Sequence, residues 1–437
     1  MTLWSPTLPA SSDPLYLRIA AALERDIAAG VLVAGSRLPT HRELARKLAV
    51  TPVTVTRAYG EAARRGLIEA MTGRGTFVRD VKRESTSGGD IDLSTNTIAV
   101  AMPTPSNAIL QRAAAALATN YGVGAGSERH RAAGAAWIGG VDANEVVVTA
   151  GTQHALFCAL AAVARPGDTV LAENLTYHGA KSIAALLNLR FAPLALDRWG
   201  IIPDAFERAC RARAAKVLYT IPSLQNPTGS VMPARRRRDL ARIAEKYGIT
   251  IIEDDVCGFL VDEPQLRTFL PDRTLFVTGL GKALSAAMRV GYVAAPHALL
   301  ARVQNAAAAS ALFASPVLAE IAASWIEDGT ASRIVQRKRD ELALRNRLAR
   351  RILGTRQSSD ARSPHLWLAL PRKWTGDSFA DEARRRGVRV ASSASFAIDE
   401  APRAIRASIG APATIAELET ALRVIASIDE EAKETIV

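Results

Sequence analysis

The chain has 437 residues, 49% of them hydrophobic, and a formal net charge of +12. That length exceeds one ordinary core and predicts two or three domains, while apolar residues spread evenly along the chain exclude a disordered tail protein. No apolar run approaches the roughly eighteen residues of a membrane span, and the N-terminus (Met-Thr-Leu-Trp-Ser-Pro) lacks a charged-then-apolar leader pattern, so the expectation is a soluble, cytoplasmic protein without a membrane partner.

The positive balance favours an anionic partner, although the arginine runs Arg235 to Arg238 and Arg384 to Arg386 are most simply solvated helix faces. Cys158, Cys210 and Cys257 have no metal-ligand spacing and imply neither a metal site nor a disulfide framework.

Along the first eighty residues, Tyr16, Ile19, Leu23 and Ile27 recur at helical spacing, and Gly30 stops that helix. Thr40-His-Arg-Glu43 fits a capping box opening a second helix through Leu48. Thr51-Pro52 supplies an N-cap and a first-turn proline for a third, which buries Val55, Tyr59 and Ala62 and leaves Val53, Thr54 and Arg57 on another face. Leu67 to Val78 reads as a hairpin around Thr72-Gly-Arg-Gly75. Three helices and a hairpin predict a winged helix-turn-helix over residues 1–80, with Arg42, Thr54, Arg57 and Arg74 as contacts to double-stranded DNA. The alternative is a generic helical domain with solvated arginines. Residues 81–90, polar and rich in glycine and serine, read as a linker.

Pro14-Leu-Tyr16, Gly35-Ser-Arg-Leu-Pro39, Arg42-Glu-Leu-Ala45, Thr54-Val55 and Gly73-Arg-Gly-Thr-Phe-Val78 resemble the GntR-type DNA-binding domain motif by motif. Pro52 departs from that pattern, which often opens the recognition helix with arginine. Base readout would then rest on Thr51, Thr54 and their neighbours.

From 91 to 437, short apolar runs alternate with alanine-rich helical stretches, the α/β pattern. Gly122-x-Gly-x-Gly126 has the wrong spacing for a dinucleotide loop and no preceding strand. Glu145 to Thr149 is a strand, and Gly151-Thr152 opens the following helix, a ready phosphate site. Three further buried strands, Lys216 to Ile221, Ile249 to Ile252 and Thr274 to Thr278, are followed by Asn226-Pro-Thr-Gly229, Glu253-Asp-Asp255 and Lys282. Gly279-Leu-Gly-Lys282 fails as a P-loop, because Phe276 and Ala283 occupy positions that require glycine and Ser/Thr. Ligands of open α/β sheets bind beyond the carboxyl ends of the strands. A lysine, an acid and an asparagine converging there suit pyridoxal phosphate (PLP). A lone lysine is most simply a solvated cation, so the reading rests on all three motifs in order. His130, His154, His178 and His365 show no triad or metal spacing and read as structural. The basic stretch Arg333 to Arg351 reads as a solvated helix face at the entrance to a small C-terminal domain, from about residue 325.

These motifs make residues 91–437 similar to fold-type I, class I aminotransferases, and the two parts together resemble the MocR subfamily of GntR regulators. The resemblance implies an α/β fold, with a mostly parallel sheet in a large domain, a small C-terminal α+β domain and the winged helices in front. Lys282 would carry the Schiff base with PLP, Asp254 would face the pyridine nitrogen, and Asn226 would bind the ring hydroxyl. Tyr177 would stack on the ring, Gly151, Thr152 and Arg289 would hold the phosphate, and Tyr121 would reach the phosphate of a neighbouring subunit in a homodimer. Arg406 would pair with a carboxylate of a substrate or effector.

Three departures bear on catalysis. Val256 and Cys257 stand where the family has tyrosine, Gly279 and Gly281 replace hydroxyl residues before the lysine, and Ala286-Ala287 replaces Pro-Gly. A phosphate ligand is thereby lost unless Thr278 or backbone amides replace it. The leading expectation is a transcriptional regulator whose aminotransferase-like domain senses PLP or an amino compound. The alternatives are an active aminotransferase carrying a regulatory DNA-binding domain, or a regulator whose altered pocket senses another small molecule.

Overall fold

The computed structural model describes residues 4–8, 13–28, 31–32, 36–65, 67–71, 75–78, 90–118, 124–212, 215–354 and 358–434. Two compact units divide between Gly89 and Asp90. In the first, helices α1 (Leu15–Ala28), α2 (His41–Leu48) and α3 (Pro52–Arg64) precede a hairpin of β1 (Ile68–Met71) and β2 (Gly75–Val78). Ile19, Leu23, Leu44, Val55, Tyr59 and Ala62 form its core. The capping box is present: the Thr40 amide donates to the Glu43 carboxylate at 2.8 Å, and the Glu43 amide donates back to Thr40 Oγ1 at 3.3 Å. α3 starts on Thr51, whose Oγ1 accepts from the Thr54 amide at 3.2 Å.

The second unit is built on a seven-stranded sheet. Its strands are β3 (Val146–Thr149), β4 (Thr169–Glu173), β5 (Arg190–Leu194), β6 (Val217–Thr220), β7 (Thr250–Asp254), β8 (Thr274–Gly279) and β9 (Gly291–Ala294). The spatial order is β3-β9-β8-β7-β6-β4-β5, with β9 antiparallel to both neighbours and the other pairs parallel.

Both faces of this sheet are covered, which is why the strands read as unbroken apolar runs. Side chains alternate between two cores: Val217 and Tyr219 join the side packed by α4 (Thr152–Val163), whereas Leu218 joins the side packed by α5 (Ala234–Tyr247). Each fully buried aliphatic side chain contributes about 1.5–3 kcal/mol of transfer free energy, so both faces of the central strands help to hold the helices against the sheet.

The small domain carries a three-stranded antiparallel sheet in the order Leu366–Ala369, Ala404–Ala407, Ala391–Ser392. α6 (Thr330–Leu353) enters it from the large domain. Ile91–Asp92 pairs in parallel with Val388–Arg389, so the opening residues of this unit belong to the small domain, a placement that a two-residue strand gives no periodicity to announce.

Of the three basic stretches, Arg384 to Arg386 is exposed throughout, whereas the other two differ from simple solvated faces. Within Arg235 to Arg238, Arg237 is fully buried, donating to the carbonyls of Met232 and Pro222 and lying 3.7 Å from Glu253. Within α6, Lys338 and Arg345 are buried while Arg333, Arg337, Arg347, Arg350 and Arg351 remain exposed.

Candidate functional site

A cavity of about 440 Å³ opens beyond the carboxyl ends of β3, β6, β7 and β8. Gly151, Thr152, Tyr177, Asn226, Asp254, Lys282, Arg289 and Arg406 all line it, so one space gathers eight sequence-selected residues from across the large and small domains. Tyr121 lies outside the described residues.

Asp254 is buried at the cavity floor. Tyr219 donates its hydroxyl to Asp254 Oδ2 at 2.8 Å, while Oδ1 is buried with no hydrogen-bond partner among the described residues. Burial lifts the Asp254 carboxyl to about 6, against the opposing effect of the Tyr219 bond. Lys282 follows β8 and donates to the Asn96 carbonyl, and burial holds its ammonium below the usual lysine range. Beneath it, Lys338 donates to the carbonyls of Lys282 and Leu284, both at 2.7 Å, and burial depresses its ammonium to about 8.

Arg406 donates to Asn226 Oδ1 at 2.8 Å and to the Ser94 carbonyl. Because the amide oxygen of Asn226 is thereby occupied, its NH₂ is the end left for a ligand. Burial lowers the Arg406 guanidinium to about 10, and its Nε has no partner among the described residues. Tyr177 is fixed by its hydroxyl, which donates to Gln153 Oε1 at 3.0 Å. A Cβ on Gly179 would stand 2.5 Å from the Tyr177 ring, so glycine there lets the ring fold over the start of its own helix.

At the other end of the cavity, Gly151 caps α4 with φ +92°, a left-handed conformation suited to glycine. The Arg289 guanidinium passes within 3.2 Å of where a Gly151 Cβ would be, which gathers a cation, a hydroxyl and a helix N-terminus around one spot. Gly279 and Gly281 are not equivalent: a Cβ on Gly279 would lie 2.3 Å from Thr152 Oγ1, whereas one on Gly281 would meet open space. Thr278 supplies no replacement hydroxyl. Its Oγ1 donates to the Asp255 carbonyl at 3.2 Å, and its side chain lines a different cavity.

Several participants escaped the sequence reading. Tyr219 had a usable signal, because a phenol in a fully buried apolar run requires a partner. Ser94 to Thr97 and Gln153 line the cavity without any local pattern to mark them. His178, expected to be structural, also lines it, exposed and edge-on to Tyr177 with centroids 4.9 Å apart. His365 is a buried residue whose Nε2 lies 3.2 Å from the Gln225 carbonyl. Cys257 lines the cavity from a buried apolar cluster, and burial pushes its thiol up to about 12.

On the first unit, Arg42, Thr51 and Arg57 are exposed and Thr54 is half-buried. Thr51 and Thr54 share a hydroxyl–hydroxyl bond of 2.9 Å, so each is partly committed to the helix cap. Beside them Val53 is 64% exposed, an apolar side chain of the kind that contacts thymine methyl groups. Arg74 lies outside the described residues.

Residues 89–425 match the family described as aminotransferase class I and II, and residues 15–78 match bacterial regulatory proteins of the gntR family. The chain belongs to both families, joined in the MocR architecture. A relative in Bacillus subtilis (strain 168), the uncharacterized HTH-type transcriptional regulator YdeF, is 30% identical over 442 residues, 97% of this chain and 96% of the relative. The uncharacterized regulator YdcR of Escherichia coli (strain K12) is 26% identical over 434 residues, covering 88% of this chain and 92% of its own.

Among solved structures, an archaeal alanine:glyoxylate aminotransferase superposes with a TM-score of 0.71 at 24% identity, over 79% of this chain and 92% of that one. LysN, an α-aminoadipate aminotransferase from Thermus thermophilus, gives 0.70 at 22% identity, over 86% and 99%. These likenesses establish the fold of the MocR chain's second unit. It is thus a GntR-type regulator whose winged helix-turn-helix is fused to an aminotransferase-like domain. None of its described helices is long and apolar enough to cross a membrane.

Proposed function

We propose that this MocR-type chain is a cytoplasmic, homodimeric transcriptional regulator whose aminotransferase-like domain binds PLP and senses it, or an amino compound presented to it, while the winged helices hold double-stranded DNA. The observation carrying the cofactor is the unpartnered Asp254 Oδ1, a buried acceptor in the same cavity as Lys282. A buried carboxylate oxygen left alone is costly, and a protonated ring nitrogen is the partner it suits. The residues fit the group. Asp254 would accept from the ring nitrogen, Asn226 would donate to the ring oxygen, and Tyr177 would cover the ring face. Gly151, Thr152 and Arg289 would hold the phosphate, aided in the dimer by Tyr121, and Lys282 would hold the carbonyl carbon.

Bound PLP would supply an aldehyde electrophilic toward amines and an electron-withdrawing ring. Tyr219 keeps Asp254 in place, and Lys338 fixes the backbone on which Lys282 sits. Arg406 orients Asn226 and offers its unpaired Nε edge to a carboxylate. Cys257 is at most a weak donor where the family's tyrosine would act, and Gly281 presents no hydroxyl. That combination supports holding and sensing over rapid turnover.

The experiment is borohydride reduction of the purified chain with PLP, followed by peptide mapping. A pyridoxyl group fixed on Lys282, and absent from Lys282→Ala with unchanged circular dichroism, is expected. Wild-type protein that stays colourless with excess PLP would overturn the cofactor assignment. Single-turnover spectra with amino acids separate sensing from catalysis: turnover at an ordinary enzymatic rate, about 1 per second or faster, would favour a working aminotransferase instead.

A further inference from the structure

A second cavity, of about 600 Å³, lies against the same strand end as the first. Asp254 lines one and Asp255 lines the other, because successive residues of an extended chain point to opposite sides. Asp255 is 7% exposed, and its Oδ1 is buried without a hydrogen-bond partner among the described residues. Gly258 makes room for this carboxylate, since a Cβ there would fall 1.7 Å from Asp255 Oδ2. Glu263 and the rings of Trp137 and Phe259 also line the cavity, with Gln336 and Arg339 of α6 on its other wall.

The lining is acidic: among the described residues two carboxylates, those of Asp255 and Glu263, line the cavity against one guanidinium, that of Arg339. A cation answers both the excess negative charge and the aromatic faces.

We propose that this second cavity binds a small ammonium-bearing molecule, with Asp255 as its anchor, and that occupancy is transmitted to the cofactor cavity. Two connections carry the transmission. Gly258 and Phe259 directly follow Val256 and Cys257, which line the first cavity. Gln336 and Arg339 flank Lys338, which holds the carbonyls of Lys282 and Leu284. Arg339 also donates to the Phe259 carbonyl from Nε at 3.0 Å and Nη2 at 2.6 Å, tying the two walls together. A ligand seated there would touch both the strand end that presents Asp254 and the helix that supports Lys282. The second site itself does not depend on PLP; only the transmission rests on the cofactor assignment above.

The test uses full-length protein in two forms: free of cofactor, and reduced with borohydride in the presence of PLP so that the Lys282 amine is blocked and an added amine has no exchange to undergo. Each is titrated calorimetrically with 1,4-diaminobutane and, as the anionic counterpart of equal length, succinate. Saturable binding of the diamine to both forms is expected, with none of succinate. Asp255→Asn should weaken it by about tenfold or more, the loss of one charge-assisted contact. Ser332→Trp, which plugs the cavity from an exposed position on α6 while leaving Asp255 intact, should abolish it. In the reduced form, pyridoxyl fluorescence should change with the calorimetric midpoint. Equal binding of succinate, undiminished binding in both variants, or no saturable binding (a cavity holding water only) would overturn the site. Binding without a fluorescence response would overturn the transmission. Failure of pyridoxyl attachment would refute the Lys282 assignment alone, because the cofactor-free titration still decides the site.

Discussion

Replacing Asp254 by asparagine should stabilise the cofactor-free protein at pH 8 while removing its grip on PLP. The carboxyl titrates at about 6 in the folded chain against an ordinary value of 3.8, because burial disfavours its charge. A raised carboxyl is a liability above its unfolded value: below pH 3.8 both states are protonated and nothing is lost. Between 3.8 and about 6 the folded state is progressively penalised, and above about 6 the penalty is constant. The difference, at about 1.4 kcal/mol per pH unit, amounts to about 3 kcal/mol.

Asparagine keeps an acceptor for the Tyr219 hydroxyl and carries no charge, so most of this penalty should vanish. With an unfolding entropy of about 2 cal/mol/K per residue, the second unit's melting temperature should rise by about 4 °C. Differential scanning calorimetry of cofactor-free wild type and Asp254→Asn at pH 4 and pH 8 checks this, with the gain at pH 8 and little at pH 4. Equal melting temperatures at pH 8, or a gain independent of pH, would refute the reasoning. With PLP the order should reverse, since wild type gains from binding and the variant does not.

The two glycines before Lys282 should respond oppositely to serine. Gly281→Ser enters open space at the cavity, should change stability by less than about 0.5 kcal/mol, and should tighten PLP retention about tenfold, read by dialysis and visible absorbance. Gly279→Ser drives a Cβ into Thr152 Oγ1 and should cost about 1–3 kcal/mol in chemical denaturation, with weaker PLP retention. On DNA, Arg42→Ala and Arg57→Ala should each weaken binding to all sequences and reduce the slope of log affinity against log salt by about 0.9, measured by fluorescence anisotropy from low to moderate salt. An unchanged slope in both variants would remove these side chains from the phosphate contacts.

The strand-end residues were legible because each is a polar group soon after a buried apolar run, and the sheet's topology delivers such groups to one edge. Gly151, Asn226, Asp254 and Lys282 belong to the ends of β3, β6, β7 and β8 in that way. Which member of a charged run turns inward was not legible. Arg237 and Lys338 are buried because backbone carbonyls distant in sequence, those of Pro222 and Lys282 among them, need donors where the helices cross. Neither run contains a local signal for that. The wall formed by Ser94 to Thr97 was invisible for the same reason: Asn96 meets Lys282 and Ser94 meets Arg406 across most of the unit's length. Local pattern finds the groups that strands present, whereas the groups that brace them are fixed by long-range packing.

This division bears on how the cavity would act. Its charged residues, Asp254, Lys282, Arg289 and Arg406, come from separate elements of the large and small domains and converge on one space. On the proposed function, these groups would hold a ligand by charge, while Cys257 and Gly281 stand where the resemblance leads one to expect hydroxyls. The supports beneath them are equally informative. Tyr219 bonds one oxygen of Asp254 from a central strand, and Lys338 bonds the Lys282 carbonyl from the helix that enters the small domain. Any shift of α6 relative to the sheet would be felt at Lys282 before it was felt at Asp254. On the proposed function, occupancy of the cavity would reach the small domain through α6, by way of the same Lys338 contact that holds the Lys282 backbone.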